Sequence, residues 1–447
     1  MDQQMFQPLS CNGQLTSADV DCVPTSPNYA GTLSDLLAAA DTAAGEQVVV
    51  PCGWCAVAST TDGSTLDLSG GGLNVEGMLH FPPSANLTVV TPHVFVQGVL
   101  QMDPPDTDLA NTVRVRLVGS DDQYLVPHEE NAMACDPAVG CNVGKKAVAV
   151  AGGRLDIRGL AEDDACPAWA KLQSVLPPDL EGAQPHEITV PDPRAAECWG
   201  SRPNGEILIT NSKSSGGWQD QVVRTVQTAE PLVTIQSFDA ATKLSFARTD
   251  SVLNPISQDG AEDPRMASDV AWLSRPIVFE AVGDGPSDGT YDALHGGHLI
   301  ILHTPNVAQH IEGAEIRNFG QQGMLGRYPI HFHMSGSVAG SVVRRNVIRE
   351  SKQRCIVIHG SHDVLVEDNV AFDTYGHCYM LEDGGEHDNT FRNNLGARTR
   401  NSGLGIGSSD HEASTPWITN PQNHFVDNVC AGSQSNGAIV DIEILLF

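Results

Sequence analysis

Val343-Arg344-Arg345-Asn346-Val347, Val366-Glu367-Asp368-Asn369-Val370, Phe391-Arg392-Asn393-Asn394-Leu395 and Phe425-Val426-Asp427-Asn428-Val429 share one pattern: apolar, two variable positions, asparagine, apolar. Asn346 to Asn369 is 23 residues, Asn369 to Asn394 is 25, and Asn394 to Asn428 is 34. A repeat of this length is one coil of a parallel β-helix, with loops inserted where a step is longer. Asparagines stacked at one turn hydrogen-bond along the axis and satisfy amides that burial would otherwise orphan. Ile311–Ile316 reads as an earlier, imperfect coil with Glu315 in the asparagine slot.

The same register aligns a second set of strands. Ile330-His331-Phe332-His333, Ile356-Val357-Ile358-His359 and Tyr379-Met380-Leu381-Glu382 superpose at steps of 26 and 23 residues. Side chains alternate across a strand, so the Ile/Phe/Tyr/Leu positions face inward. His333, His359 and Glu382 then form an outward column, with His331, Val357 and Met380 as same-face neighbours. Two imidazoles and a carboxylate so placed suit a borderline divalent metal held by His333, His359 and Glu382. Without metal, Glu382 and Asp383 would act as acid and base on a glycosidic oxygen, with a histidine tuning or relaying the proton. A solvent-facing polar ladder that only discourages edge association is the third reading. His377 and His387 flank the acidic loop as supporting groups. Cys355 and Cys378 align on adjacent coils, either bonded or stacked as thiols.

Working outward, 40% hydrophobic content with 43 Gly and 27 Pro describes a turn-rich, mostly β chain. The expected organisation is an N-terminal segment 1–45 with a helix near Leu33–Ala44, glycine-punctuated strands over 46–160, and a connection 161–205. A second β region, 206–295, leads into a right-handed parallel β-helix of pectin-lyase-like type over 296–430. The end, 431–447, closes on the apolar Ile444-Leu445-Leu446-Phe447 and reads as a chain cut short.

A formal charge of −30 argues against nucleic acid as a partner. Arg327 to Arg354 nevertheless carries six positive charges against Glu350 alone, a local patch able to meet a polyanion. Eleven cysteines suggest an oxidising compartment, with Cys52/Cys55 and Cys135/Cys141 as local staples. Asn86-Leu87-Thr88 is a glycosylation sequon. The sequence shows no signal-peptide pattern and no stretch long enough to span a bilayer. No organic cofactor is expected.

Leu325-Gly326-Arg327-Tyr328-Pro329-Ile330-His331-Phe332-His333 resembles the cell-surface and cell-migration-inducing hyaluronidases, as do Val357–Ser361, Gly376–Cys378, Glu382–Gly384 and Ala271–Phe279. The strands of 48–160 look like the eight-glycine domain of that family and of fibrocystin-like ectodomains. The resemblance implies an extracellular or cell-surface ectodomain, an anionic polysaccharide such as hyaluronan as partner, and calcium dependence in at least one member. Calcium would be sought at Asp383, Glu386 and Asp388, since it prefers oxygen donors. The leading expectation is hydrolysis of a uronic-acid-containing glycan. Glu382 or Asp383 would be acid/base, His333 and His359 would orient or coordinate, and Arg327, with His331, Arg354 and His377, would bind substrate. A non-catalytic glycan-binding or adhesion ectodomain and a polysaccharide lyase are the alternatives.

Overall fold

The computed structural model describes residues 22–103, 112–119, 124–126, 135–136, 140–144, 146–160, 166–172, 174–176, 186–189, 195, 199, 205–210, 222–229, 233–235, 267–282, 294–404, 406 and 408–440. Short strands rich in Val, Ile and Leu stack in parallel along three ladders, which wrap one apolar interior. One ladder runs from Val48–Val50 through Leu73–Val75, His93–Val96, Ala147–Val150 and His298–Leu302 to the starts of Ile330–Arg344 and Ile356–Glu367, then Tyr379–Leu381 and Pro416–Ile418. A second includes Met78–Phe81, Val99–Met102, Arg154–Arg158 and His310–Glu312, the later halves of the same two long strands, then Thr390–Arg392 and His424–Val426. The third passes from Ser64–Asp67 through Leu87–Thr91, Val113–Leu117, Ile277–Ala281, Ala314–Arg317, Val347–Arg349, Val370–Tyr375 and Leu395–Arg400 to Val429–Ser433. The chain is thus a parallel β-helix.

The ladder does not begin at Gly296. Ala147 pairs with His298 on one side and His93 on the other, so the glycine-punctuated strands are themselves rungs. The sequence boundary at 295/296 is a change in residue pattern and leaves the hydrogen bonding unbroken. Between Arg158 and Ile277 the chain leaves a single rung and returns to it. The excursion includes the antiparallel strands Trp169–Lys171, Glu206–Ile209, Val222–Ala229 and Asp269–Trp272. Ala168, Leu208, Ala271 and Leu273 pack on the outside of the third ladder against Val347, Val370, Phe372, Leu395 and Ala397.

The asparagine repeat forms the corner between the second and third ladders. Asn346 Nδ2 donates to Asn369 Oδ1 at 3.0 Å, Asn369 to Asn394 at 2.9 Å, and Asn394 to Asn428 at 2.9 Å. Each amide also gives a proton to a backbone carbonyl (Ile311, Val343, Val366 and Phe391 in turn). Oδ1 of Asn346 accepts from the Ala314 N–H, and Oδ1 of Asn369, Asn394 and Asn428 from the backbone N–H of the preceding asparagine in the stack. The residue before each asparagine is left-handed (Arg345, Asp368, Asn393 and Asp427, φ 52–55°), which makes the bend. The earlier coil is offset from expectation by one position: Glu315 pairs with Val347, so Ala314 occupies the asparagine slot.

Three local expectations also change or resolve. The helix spans Leu33–Ala39, capped by Thr32, and is followed by a 3₁₀ turn at Thr42–Ala44. Cys55 is bonded to Cys22, so Cys52 and Cys55 are not a local staple. The bridge lies in a buried cluster with Val57, Met78 and Val99, on the strand face opposite the interior residues Ala56, Leu79 and Leu100. Cys355 and Cys378 are bonded between adjacent rungs, Cα to Cα 4.5 Å. Cys135 and Cys141 face one another across an antiparallel pair, and their side chains lie outside the described residues.

Candidate active site

The first ladder carries the column because its strands keep strict alternation up to one shared corner. Ile330 and Phe332, Ile356 and Ile358, and Tyr379 and Leu381 are all in the core. His331 pairs with Val357 and His333 with His359, while Ile358 pairs with Leu381 and leaves Glu382 next in line. Met334 and Gly360 then turn the chain at φ 51° and 52°. A Cβ on Gly360 would collide with Met334 Sδ, so glycine is what lets the two corners nest.

The side chains meet closely. His333 Nδ1 lies 3.0 Å from His359 Nδ1. His359 Nε2 lies 2.7 Å from Asp383 Oδ2, and Asp383 is the open end of the column, its side chain 54% exposed. Glu382 is 11% exposed. Its Oε1 accepts from Tyr328 Oη at 2.8 Å and Arg354 Nη1 at 2.6 Å. Its Oε2 faces His359 Nδ1 at 3.5 Å and His331 Nε2 at 3.7 Å, with no hydrogen-bond donor. His331 is wholly buried, and its Nδ1–H donates to the Gly326 carbonyl at 2.8 Å. One nitrogen each of His331, His333 and His359 fall within 4.8 Å of one another. Burial, reinforced by the imidazole of His359, pushes His331 well below the usual histidine range. Burial and three neighbouring imidazoles (His331, His359 and His303) push His333 down to about 2. Both rings are neutral near pH 7, with lone pairs to offer.

Several expected binding residues are engaged elsewhere. Arg327 donates from Nη1 to Gln321 Oε1 and lies against Gly144. Arg354 is buried, stacks 4.6 Å over the Tyr328 ring and meets Glu382 and Asp410, so it braces the column from behind and has no face for substrate. His377 is fully buried beside Ser414 and Trp417, remote from solvent. His331 is at the heart of the cluster but equally closed. The basic patch is neutralised by neighbouring rungs: Arg344 and Arg345 on Glu312, Arg349 on Glu315 and Glu206, Arg354 on Glu382.

The oxygen set expected for calcium does not fit one. Asp383 is bonded to His359, Asp388 to His387, and Glu386 accepts from the Gly360 and Asp383 N–H groups. A calcium ion needs about six to eight converging oxygens. Sequence reading missed Tyr328 and Asp410. Tyr328 lies within the Leu325–His333 stretch but carried no role there, whereas Asp410 comes from the 3₁₀ turn Ser408–Glu412, outside any repeat, and carried no signal.

Residues 294–443 match the CEMIP beta-helix family. Cell surface hyaluronidase CEMIP2 of Homo sapiens is 36% identical over 209 residues, covering 38% of this chain and 15% of that protein. Cell surface hyaluronidase of Danio rerio is 33% identical over the same length, 38% of this chain and 15% of its own. A G8 domain-containing protein of Dictyostelium discoideum is 28% identical over 322 residues, 68% of this chain and 19% of its own. The chain therefore spans less than a fifth of the relatives it matches. The matched stretch holds the whole column from His331 to Asp383.

Proposed function

We propose that this chain hydrolyses a uronic-acid-containing polysaccharide, hyaluronan first among them, at the column ending in Asp383, as an extracellular or cell-surface protein. The observation that carries the reading is the 2.7 Å contact of His359 Nε2 with Asp383, a solvent-facing carboxylate fixed by a half-buried imidazole. Such a group has the reach and the orientation to exchange a proton with a glycosidic oxygen or an attacking water. Glu382 spends Oε1 on Tyr328 and Arg354 and so serves the column's charge balance, with Asp383 as acid/base. Two relatives named as cell surface hyaluronidases support the substrate class. The Cys22–Cys55 and Cys355–Cys378 disulfides suit an oxidising compartment.

Incubating the full chain with size-defined hyaluronan and related polyuronates tests this. Shortened chains without new ultraviolet absorbance are expected, and Asp383→Asn should slow cutting by about 10²–10⁴-fold while glycan binding persists. A product absorbing in the ultraviolet would make the reaction a lyase. Unchanged length for every glycan would leave only a binding surface.

A further inference from the structure

We propose that His331, His333, His359 and Glu382 form a tetrahedral centre for one borderline divalent cation of the zinc class. The hydrogen bonding of the column makes the case. His331 spends its only proton, on Nδ1, at the Gly326 carbonyl, so Nε2 is a bare acceptor. It faces Glu382 Oε2, a second bare acceptor, and both atoms are buried without a hydrogen-bond partner. His359 gives its Nε2–H to Asp383, which leaves Nδ1 as an acceptor, 3.0 Å from His333 Nδ1 and 3.5 Å from the same Glu382 oxygen. Two or more lone pairs converging in a buried space repel one another, and a cation between them removes that cost.

The spacings agree. Donors about 2.0–2.1 Å from a tetrahedral ion sit about 3.3 Å apart. Three of the six edges are 3.0 Å for His333 Nδ1 to His359 Nδ1, 3.5 Å for His359 Nδ1 to Glu382 Oε2, and 3.7 Å for His331 Nε2 to Glu382 Oε2, and the three imidazole nitrogens all lie within 4.8 Å of one another. The outer contacts are those that orient metal ligands: His331 Nδ1–H on a backbone carbonyl, His359 Nε2–H on a carboxylate, and Glu382 Oε1 on Tyr328 and Arg354. Three imidazoles with one carboxylate oxygen select a zinc-class ion over calcium. The centre shares residues with the hydrolysis proposed above and stands without it.

The test uses the full chain, stripped with chelator and dialysed, then titrated with Co²⁺ by visible absorption and with Zn²⁺ by calorimetry. One equivalent with a tetrahedral cobalt spectrum is expected, undisturbed by millimolar Ca²⁺. His333→Ala should weaken uptake at least 100-fold with the metal-free melting temperature preserved. Asp383→Asn, at an exposed position that folding tolerates, should weaken it by about 10–100-fold. Uptake below half an equivalent, an octahedral spectrum, or both variants binding within threefold of the parent would overturn the centre. Stoichiometric uptake by a protein that cuts no glycan would remove the hydrolysis reading and keep the centre.

Discussion

At the residue scale His331 and His333 are neutral bases held where protons are unwelcome. His331 and His333 both have folded pKa values below the unfolded value near 6.5. As pH falls below 6.5 the unfolded chain takes up protons that the native rings refuse, so stability is lost with decreasing pH. For His333 the loss continues toward pH 2. Each ring contributes at most about 1.4 kcal/mol per pH unit in that window. Urea midpoints of metal-stripped protein should drop between pH 6.5 and 5.5, and His333→Gln should flatten the slope; equal slopes would refute the burial of that ring. Tyr328→Phe should cost about 1–3 kcal/mol, since it takes a donor from the buried Glu382 Oε1 and an acceptor from Arg354.

At the scale of elements, the rungs are joined by two devices that differ in chemistry. Asn369 satisfies the Asn346 N–H, the Asn346 amide and the Val343 carbonyl at once. Asn369→Ala orphans all three and should destabilise by about 2–4 kcal/mol in chemical denaturation. Cys355–Cys378 closes a span of 23 residues. Replacing both with alanine should cost about 3 kcal/mol, and a melting temperature unmoved by the double change would contradict the bond. These elements also show what the sequence made legible. The spacing of Asn346, Asn369 and Asn394 gave the register, and strict alternation then put His333, His359 and Glu382 on one outward line. The upstream rungs lacked that asparagine mark, so Ala147–Val150 read as another domain although it hydrogen-bonds directly to His298–Leu302. Tyr328, Arg354 and Asp410 reach the column from corners and loops, where no period governs direction. The arginines read as a basic patch because their partners, Glu312 and Glu206 among them, lie far off in sequence.

Over the whole molecule, the charge of −30 acts on any polyanionic substrate before contact. With the arginines between 344 and 354 already paired to acids, little attraction is left to offset it. If hyaluronan is cut, kcat/KM should rise as salt is raised from about 10 to 150 mM, because the Debye length shrinks from about 30 to 8 Å and screens the repulsion. A rate that falls with salt would mean that an attractive track exists on this surface.

The departure of the chain from one rung after Arg158, and its return at Ile277, gives the cylinder a graft point. Joined directly across that gap, the coil would keep its pitch, since both neighbours on the stack still have their hydrogen-bond partners. The same cut would bare a greasy seam of Val347, Val370, Phe372 and Leu395 down the flank. The branch can thus vary in sequence and length only while something apolar still lies along that seam.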